Sequence, residues 1–132
     1  MLVTITSHNL SVPESMIIDD NLQFLGFINN KGKLVDSIPF KGFDLPKHEK
    51  EMFFMKISLY DHLQRDFEDQ LGPVMFNVSE RKDSRYITIP IPSGIVFAIL
   101  DKHADCETFV HKILSILNLV SNNELTPETS LS

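Results

Sequence analysis

Residues 47–79, KHEKEMFFMKISLYDHLQRDFEDQLGPVMFNVS, decide the fold, because a long amphipathic helix here gives way to a strand. Apolar residues recur every three or four positions over 47–71, which predicts a helix. They form one stripe of Met52, Met55, Leu59, Leu63, Phe67 and Leu71 and a second of Phe53, Ile57 and Tyr60. Phe54 lies off both stripes. Gly72 and Pro73 end the helix, because glycine suits the left-handed cap position and proline cannot continue a helix. The double stripe is wider than one sheet contact usually needs, so we expect part of it to contact a partner.

Two strands are predicted before this helix and three after it. The first pair covers 22–28 and 33–38, joined by residues 29–32, NNKG, which favour a tight hairpin turn. The later strands are predicted over 73–79, 85–91 and 95–100. The last of these, IVFAIL, is wholly apolar, which is typical of a central strand covered on both faces.

The two ends of the chain differ from its middle. Residues 1–12 are predicted as an N-terminal arm or short strand, and a proline followed by glutamate favours a short helix over 13–19. Asp105 is expected to cap a final helix over 106–120. The polar residues 121–132 are predicted as a disordered tail. The domain is therefore expected to span residues 13–120.

Composition excludes several classes of protein. Eighteen acidic residues against twelve basic ones give a net charge of −6, which argues against a nucleic-acid partner. No apolar run reaches the length of about 20 residues that a membrane helix needs, so no membrane insertion is expected. The N-terminus MLVTITSHNL lacks the pattern of a signal peptide, and a cytoplasmic location is expected. The single cysteine, Cys106, excludes an internal disulfide.

Three stretches resemble the roadblock/LC7 superfamily, within the profilin-like α/β group. Residues 22–37 are similar to its opening hairpin, 69–79 to its helix, glycine break and third strand, and 95–117 to its fifth strand, acidic loop and C-terminal helix. The resemblance implies an α/β (α+β) fold, in which a five-stranded antiparallel sheet carries the long helix on one face and the C-terminal helix on the other. The chain is also similar to short archaeal proteins of this layout.

The resemblance further implies a regulatory role without catalysis. Roadblock/LC7 proteins form dimers, commonly by pairing their third strands with the long helices side by side, and act as scaffolds or regulators of small Ras-like GTPases or of dynein motors. We therefore expect a signalling protein that is not an enzyme, with a second copy of itself and a small GTPase as partners. Strand 73–79 also lacks the inward charges that usually protect a sheet edge. The predicted dimer interface consists of Met52, Phe53, Ile57, Tyr60, Val74, Phe76 and Val78.

Two further interpretations stay open. The basic residues of the turn at 80–85, Arg81, Lys82 and Arg85, are candidate contacts for an acidic partner, although charged turns more often only face water. The alternative function is a profilin-like or PAS-like small-molecule sensor. Its apolar pocket would be lined by Phe40, Phe43, Met52, Met55 and Phe67.

Motifs for cofactors, metals and catalysis are weak. Residues 26–34 superficially resemble a phosphate loop, but the glycine spacing is wrong and Leu34 stands where a hydroxyl must bind magnesium. Cys106 and His111 are five residues apart on a helix and do not converge with His103 on a metal. No nucleophile–base pair is evident, so neither a cofactor nor a catalytic residue is predicted.

Overall fold

The computed structural model describes residues 2–5, 10–13, 21–38 and 43–129. In chain order the elements are β1 (Leu2–Ile5), β2 (Leu10–Pro13), β3 (Leu22–Asn29), β4 (Leu34–Ile38), α1 (Lys47–Arg65), α2 (Glu68–Leu71), β5 (Asn77–Glu80), β6 (Ser84–Ile91), β7 (Gly94–Asp101) and α3 (Cys106–Thr129). The helix expected over 13–19 falls almost wholly outside the described residues. Pro13 itself is the last residue of β2.

Strands β3 to β7 form the predicted five-stranded antiparallel sheet, in the order β4-β3-β7-β6-β5. The wholly apolar strand β7 lies at its centre, as its sequence predicts. Strands β1 and β2 form a separate antiparallel pair, and β1 lies beside β4. Pro90 in β6 lies beyond Thr88, the last position paired with β5, so its missing N–H faces no β5 partner.

The two faces of the sheet carry separate apolar cores, because successive side chains of a strand point to opposite faces. On one face, Leu25, Ile87 and Ala98 pack with α3 residues such as Phe109 and Ile113. On the other face, the core under α1 consists of Phe24, Ile28, Phe54, Ile95, Phe97 and Ile99. The long helix and the C-terminal helix therefore lie on opposite faces, as predicted.

The hairpin turn at 29–32 is held by its own backbone and by one side chain. The Asn29 side-chain oxygen accepts hydrogen bonds from the backbone N–H groups of Lys31 and Lys33, at 2.9 and 3.1 Å. Gly32 has φ 78°, and a Cβ there would stand 3.2 Å from the Met55 Cα. The residues are therefore those of a turn packed on α1 and not of a phosphate loop.

The predicted helix 47–71 is interrupted. Helix α1 ends at Arg65, the N–H groups of Asp66 and Phe67 donate to carbonyls three residues back, and α2 follows for one turn. Such i→i+3 bonds tighten the end of a helix. Gly72 has φ 84°, which confirms the predicted end at that residue.

The next boundaries also differ from the prediction. The strand expected over 73–79 begins only at Asn77, because the chain leaves α2 through Gly72 and reaches β6 at the Asn77–Thr88 pair. At the C-terminus, α3 continues to Thr129 through residues predicted as a disordered tail. No glycine or proline stands between Cys106 and Leu125 to stop the helix.

Asp105 caps α3, as predicted. Its carboxylate accepts hydrogen bonds from the backbone N–H and the hydroxyl of Thr108, at 3.1 and 2.7 Å. These bonds stabilise the charged form and lower the pKa of Asp105.

Candidate interaction surface and adjoining cleft

Helix α1 exposes an apolar row on the side away from the sheet. Met52, Met55, Leu59 and Leu63, called here the α1 stripe, are between 46% and 60% exposed. Their spacing of three or four places them in one line along the helix. Polar side chains normally occupy this side of a surface helix. A row of large apolar side chains facing solvent is a mark of a contact surface.

The sheet-facing side of α1 is not the one that the stripes suggested. Phe54, which lies off both stripes, is 3% exposed and packs on Phe97. Ser58 and Asp61 are buried on the same side, and Phe53 and Ile57 pack beside them against the core. Periodicity identified two apolar rows, but it could not say which one meets the sheet, since buried polar residues lie between them.

Strand β5 forms a sheet edge close to the C-terminal half of α1. It pairs only with β6, and no other strand lies beside it in the part of the chain that the structure describes. The opposite edge, β4, has β1 beside it. An unpaired strand edge offers backbone donors and acceptors to another strand.

The seven predicted interface residues are only partly together. Met52 and Tyr60 are exposed on α1, whereas Phe53 and Ile57 are half-buried. Val74 and Phe76 precede β5 and are not in the strand, and Phe76 packs under α3. Val78 is the one member within β5, and it is 43% exposed. Their role in a dimer stays a prediction.

The basic turn between β5 and β6 is partly used within the chain. Arg85 donates to Glu80 at 3.2 Å and to the Ala104 carbonyl at 2.9 Å, which ties the hairpin to the segment before α3. Hydrogen bonds with Cys106 and Glu80 raise the pKa of Arg85. Arg81 and Lys82 are exposed, and Arg81 stands over the Tyr86 ring at 5.1 Å from its centroid. These two remain the better candidates for contact with a partner.

A cleft of about 560 Å³ lies between α1 and strands β5 and β6. It opens to solvent and is therefore not the closed cavity that a buried sensor pocket would form. Its apolar wall consists of Phe53, Ile57, Tyr86 and Phe97. Its polar lining comprises Lys56, Tyr60, Asp61, Gln64, Asn77, Ser79, Arg81 and Thr88.

Hydrogen bonds hold the polar side of this cleft. Gln64 and Asn77 exchange two bonds, at 3.0 and 2.9 Å, and Asn77 also donates to the Thr88 hydroxyl at 3.3 Å. The Asp61 carboxylate, 6% exposed as a residue, pairs with Arg65 at 2.9 Å. Sequence reasoning missed these residues, although Asp61 and Gln64 break the apolar pattern of α1 three residues apart.

The residues proposed for a sensor pocket are not assembled into one. Phe40 lies outside the described residues, and Phe43 packs against Phe24 and Phe53 in the α1-side core. Met52, Met55 and Phe67 face solvent. The proposed lining is therefore wrong for every member that the structure describes except Phe43, which core packing already explains.

No group of three or more metal-ligating side chains comes together among residues 21–38 and 43–117. Cys106 is buried at the start of α3, whereas His103 and His111 are exposed. Within the same residues, no helix is long and apolar enough to cross a membrane.

Comparison with solved structures identifies the fold. The chain is similar to a roadblock/LC7 domain from Streptomyces avermitilis, with TM-score 0.63, 10% identity, and 83% of this chain and 92% of that one covered. It is also similar to Myxococcus xanthus MglB, with TM-score 0.61, 12% identity, and coverage of 89% and 91%. An MglB structure described as having a tetrameric arrangement matches with TM-score 0.60, 10% identity, and coverage of 79% and 80%. No family model and no curated protein matches the sequence. The chain thus has a roadblock/LC7-like fold.

Proposed function

We propose that this roadblock/LC7-like chain is a non-enzymatic regulatory module of the cytoplasm, which works as a homodimer and binds a small Ras-like GTPase. A fold does not by itself carry a function. The observation that supports the proposal is the exposed α1 stripe near a strand edge that has no neighbouring strand in the described chain.

Dimer formation would cover both features at once. If two β5 strands pair across a two-fold axis, the sheets become continuous and the two α1 helices come side by side. Each stripe would then leave water against the other, and burying a large apolar side chain stabilises by about 1.5–3 kcal/mol. A two-fold interface of this kind uses the same patch on both copies.

Sedimentation equilibrium at micromolar concentration tests the dimer, with a matched pair of substitutions on the two edge strands. Val78 in β5 and Val35 in β4 are 43% and 44% exposed. We expect Val78→Lys to weaken association by about tenfold or more, since a lysine on an edge opposes strand pairing. Val35→Lys should leave it unchanged. A strictly monomeric wild type, or equal effects of both variants, would contradict the proposal.

Leu59→Lys provides a second test, on the helix. Leu59 is the most exposed member of the α1 stripe, so its substitution should leave the fold intact. We expect this variant to dissociate the dimer while its circular dichroism spectrum stays that of the wild type. Lys47→Glu, an exposed position at the start of the same helix, serves as the control.

The GTPase partner is supported by the resemblance to roadblock/LC7 proteins and by the exposed Arg81 and Lys82. The test is affinity capture from the native cell extract, followed by nucleotide hydrolysis assays with the recovered GTPase. We expect one small GTPase to be recovered, its hydrolysis rate to change on addition of the chain, and the chain alone to release no phosphate. Repeated capture without any GTPase would contradict this part and leave the dimer standing.

A further inference from the structure

We propose that the cleft between α1 and strands β5 and β6 binds a small amphipathic anion, which has an apolar body and one carboxylate, sulfonate or phosphate group. The volume of about 560 Å³ lies within the range of small-molecule sites, which is about 300–1,000 Å³. The cleft is formed by one chain, so the proposal does not depend on dimer formation.

Three aromatic rings provide the surface for an apolar body. Phe53, Tyr86 and Phe97 contact one another nearly edge to face, with centroids 5.5 to 6.0 Å apart. Because these rings also pack into the core under α1, their positions are fixed before a ligand arrives. A preformed apolar wall of this kind binds with little cost in side-chain ordering.

The charge of the lining favours an anion. Lys56 and Arg81 line the cleft, and the stacking of Arg81 over Tyr86 holds its guanidinium beside the aromatic wall. The one acidic residue of the lining, Asp61, already pairs with Arg65 at 2.9 Å. The uncompensated charge of the cleft is therefore positive, in a chain whose net charge is −6.

The remaining polar groups shape the cleft. Both amides of the Gln64–Asn77 pair bond to each other, and Asn77 also bonds to Thr88. Groups engaged in this way fix the gap between α1 and β5, and they leave the two cations as the main recognition elements. The α1 stripe is a separate surface, because Leu59 and Asp61 point about 200° apart around the helix.

Fluorescence titration with 8-anilinonaphthalene-1-sulfonate, an aromatic anion, tests the site. We expect saturable binding of one molecule per chain. Decanoate should displace the dye, whereas decyltrimethylammonium, which has the same apolar chain and the opposite charge, should displace it at least about tenfold less well. Equal displacement by the two amphiphiles, or no saturable binding, would overturn the proposal.

Charge reversals locate the site. Lys56→Glu and Arg81→Glu should each weaken dye binding by about fivefold to tenfold, as expected for loss of a charge-assisted contact. The matched controls are Lys82→Glu on the same turn as Arg81 and Lys47→Glu on the same helix as Lys56. All four side chains are exposed, so each variant should fold as the wild type does. Equal losses in cleft and control variants would reduce the effect to net charge and refute the site.

Leu59→Ser separates the cleft from the α1 stripe, to which an apolar dye might otherwise be assigned. We expect this variant to bind the dye as the wild type does. If Leu59→Ser abolishes binding while Lys56→Glu leaves it intact, the stripe binds the dye and the proposal is wrong. Sedimentation of the same samples reports on dimer formation independently.

Discussion

Gln64 of α1 and Asn77 of β5 exchange two hydrogen bonds, each side-chain amide donating to the other, at 3.0 and 2.9 Å. Asn77 is the first residue of β5, and it also donates to Thr88 in β6. This pair therefore joins the end of the long helix to the edge of the sheet. It accounts for where the strand begins, since the residues before Asn77 have no strand partner among those described.

Replacement of Asn77 should loosen this connection. We expect Asn77→Ala to lower the free energy of unfolding by about 1–2 kcal/mol, because the half-buried amide of Gln64 loses its partner. Urea denaturation measures the change. In a double-mutant cycle with Gln64→Ala the coupling should be about 0.5–1.5 kcal/mol. Asn30→Ala, at an exposed turn position with one long 3.5 Å bond, should have little effect.

Substitutions on the two sides of α1 should differ sharply. Phe54→Ala removes a ring that is 3% exposed, and we expect a loss of about 3–5 kcal/mol. Leu59→Ala, on the exposed stripe, should change the stability of the monomer by less than about 0.5 kcal/mol. Urea denaturation at a concentration where the chain is monomeric distinguishes the two. Comparable losses would mean that the stripe is also packed within the monomer.

The sequence predicted the order of elements and the two-sided sheet, because strand alternation, turn residues and helix ends are local signals. It misassigned the sheet-facing side of α1, because burial of Ser58 and Asp61 depends on tertiary contacts. The break after Arg65 was also missed, since no glycine or proline marks it. The cleft could not be predicted either, because it joins Lys56 to Arg81 through three separate elements.

Two glycines with positive φ should respond differently to alanine. At Gly94 a Cβ would stand 1.9 Å from the Ile28 carbonyl oxygen, which belongs to the neighbouring backbone and cannot move aside cheaply. At Gly72, φ is 84° and no atom lies within 4 Å of the added Cβ. We expect Gly72→Ala to cost about 1–2 kcal/mol from backbone strain alone. Gly94→Ala should cost more than this and yield little folded protein; thermal unfolding that ranks the two in the opposite order would contradict the register of β3 with β7.

The cap of α3 should make stability depend on pH in a defined direction. Hydrogen bonds from Thr108 lower the pKa of Asp105, so its carboxylate stabilises the folded chain at neutral pH. This contribution is present above the ordinary carboxyl pKa of about 4 and is lost as the pH falls through the lowered folded value. Asp105→Asn retains a capping oxygen but does not titrate. We therefore expect the wild type to melt at a higher temperature than Asp105→Asn at pH 7, and the difference to shrink below about pH 4. Thr108→Val, which removes the hydroxyl that donates to Asp105, should reduce the difference at pH 7. A difference that stays constant from pH 7 to pH 3 would show that the charge of Asp105 does not contribute.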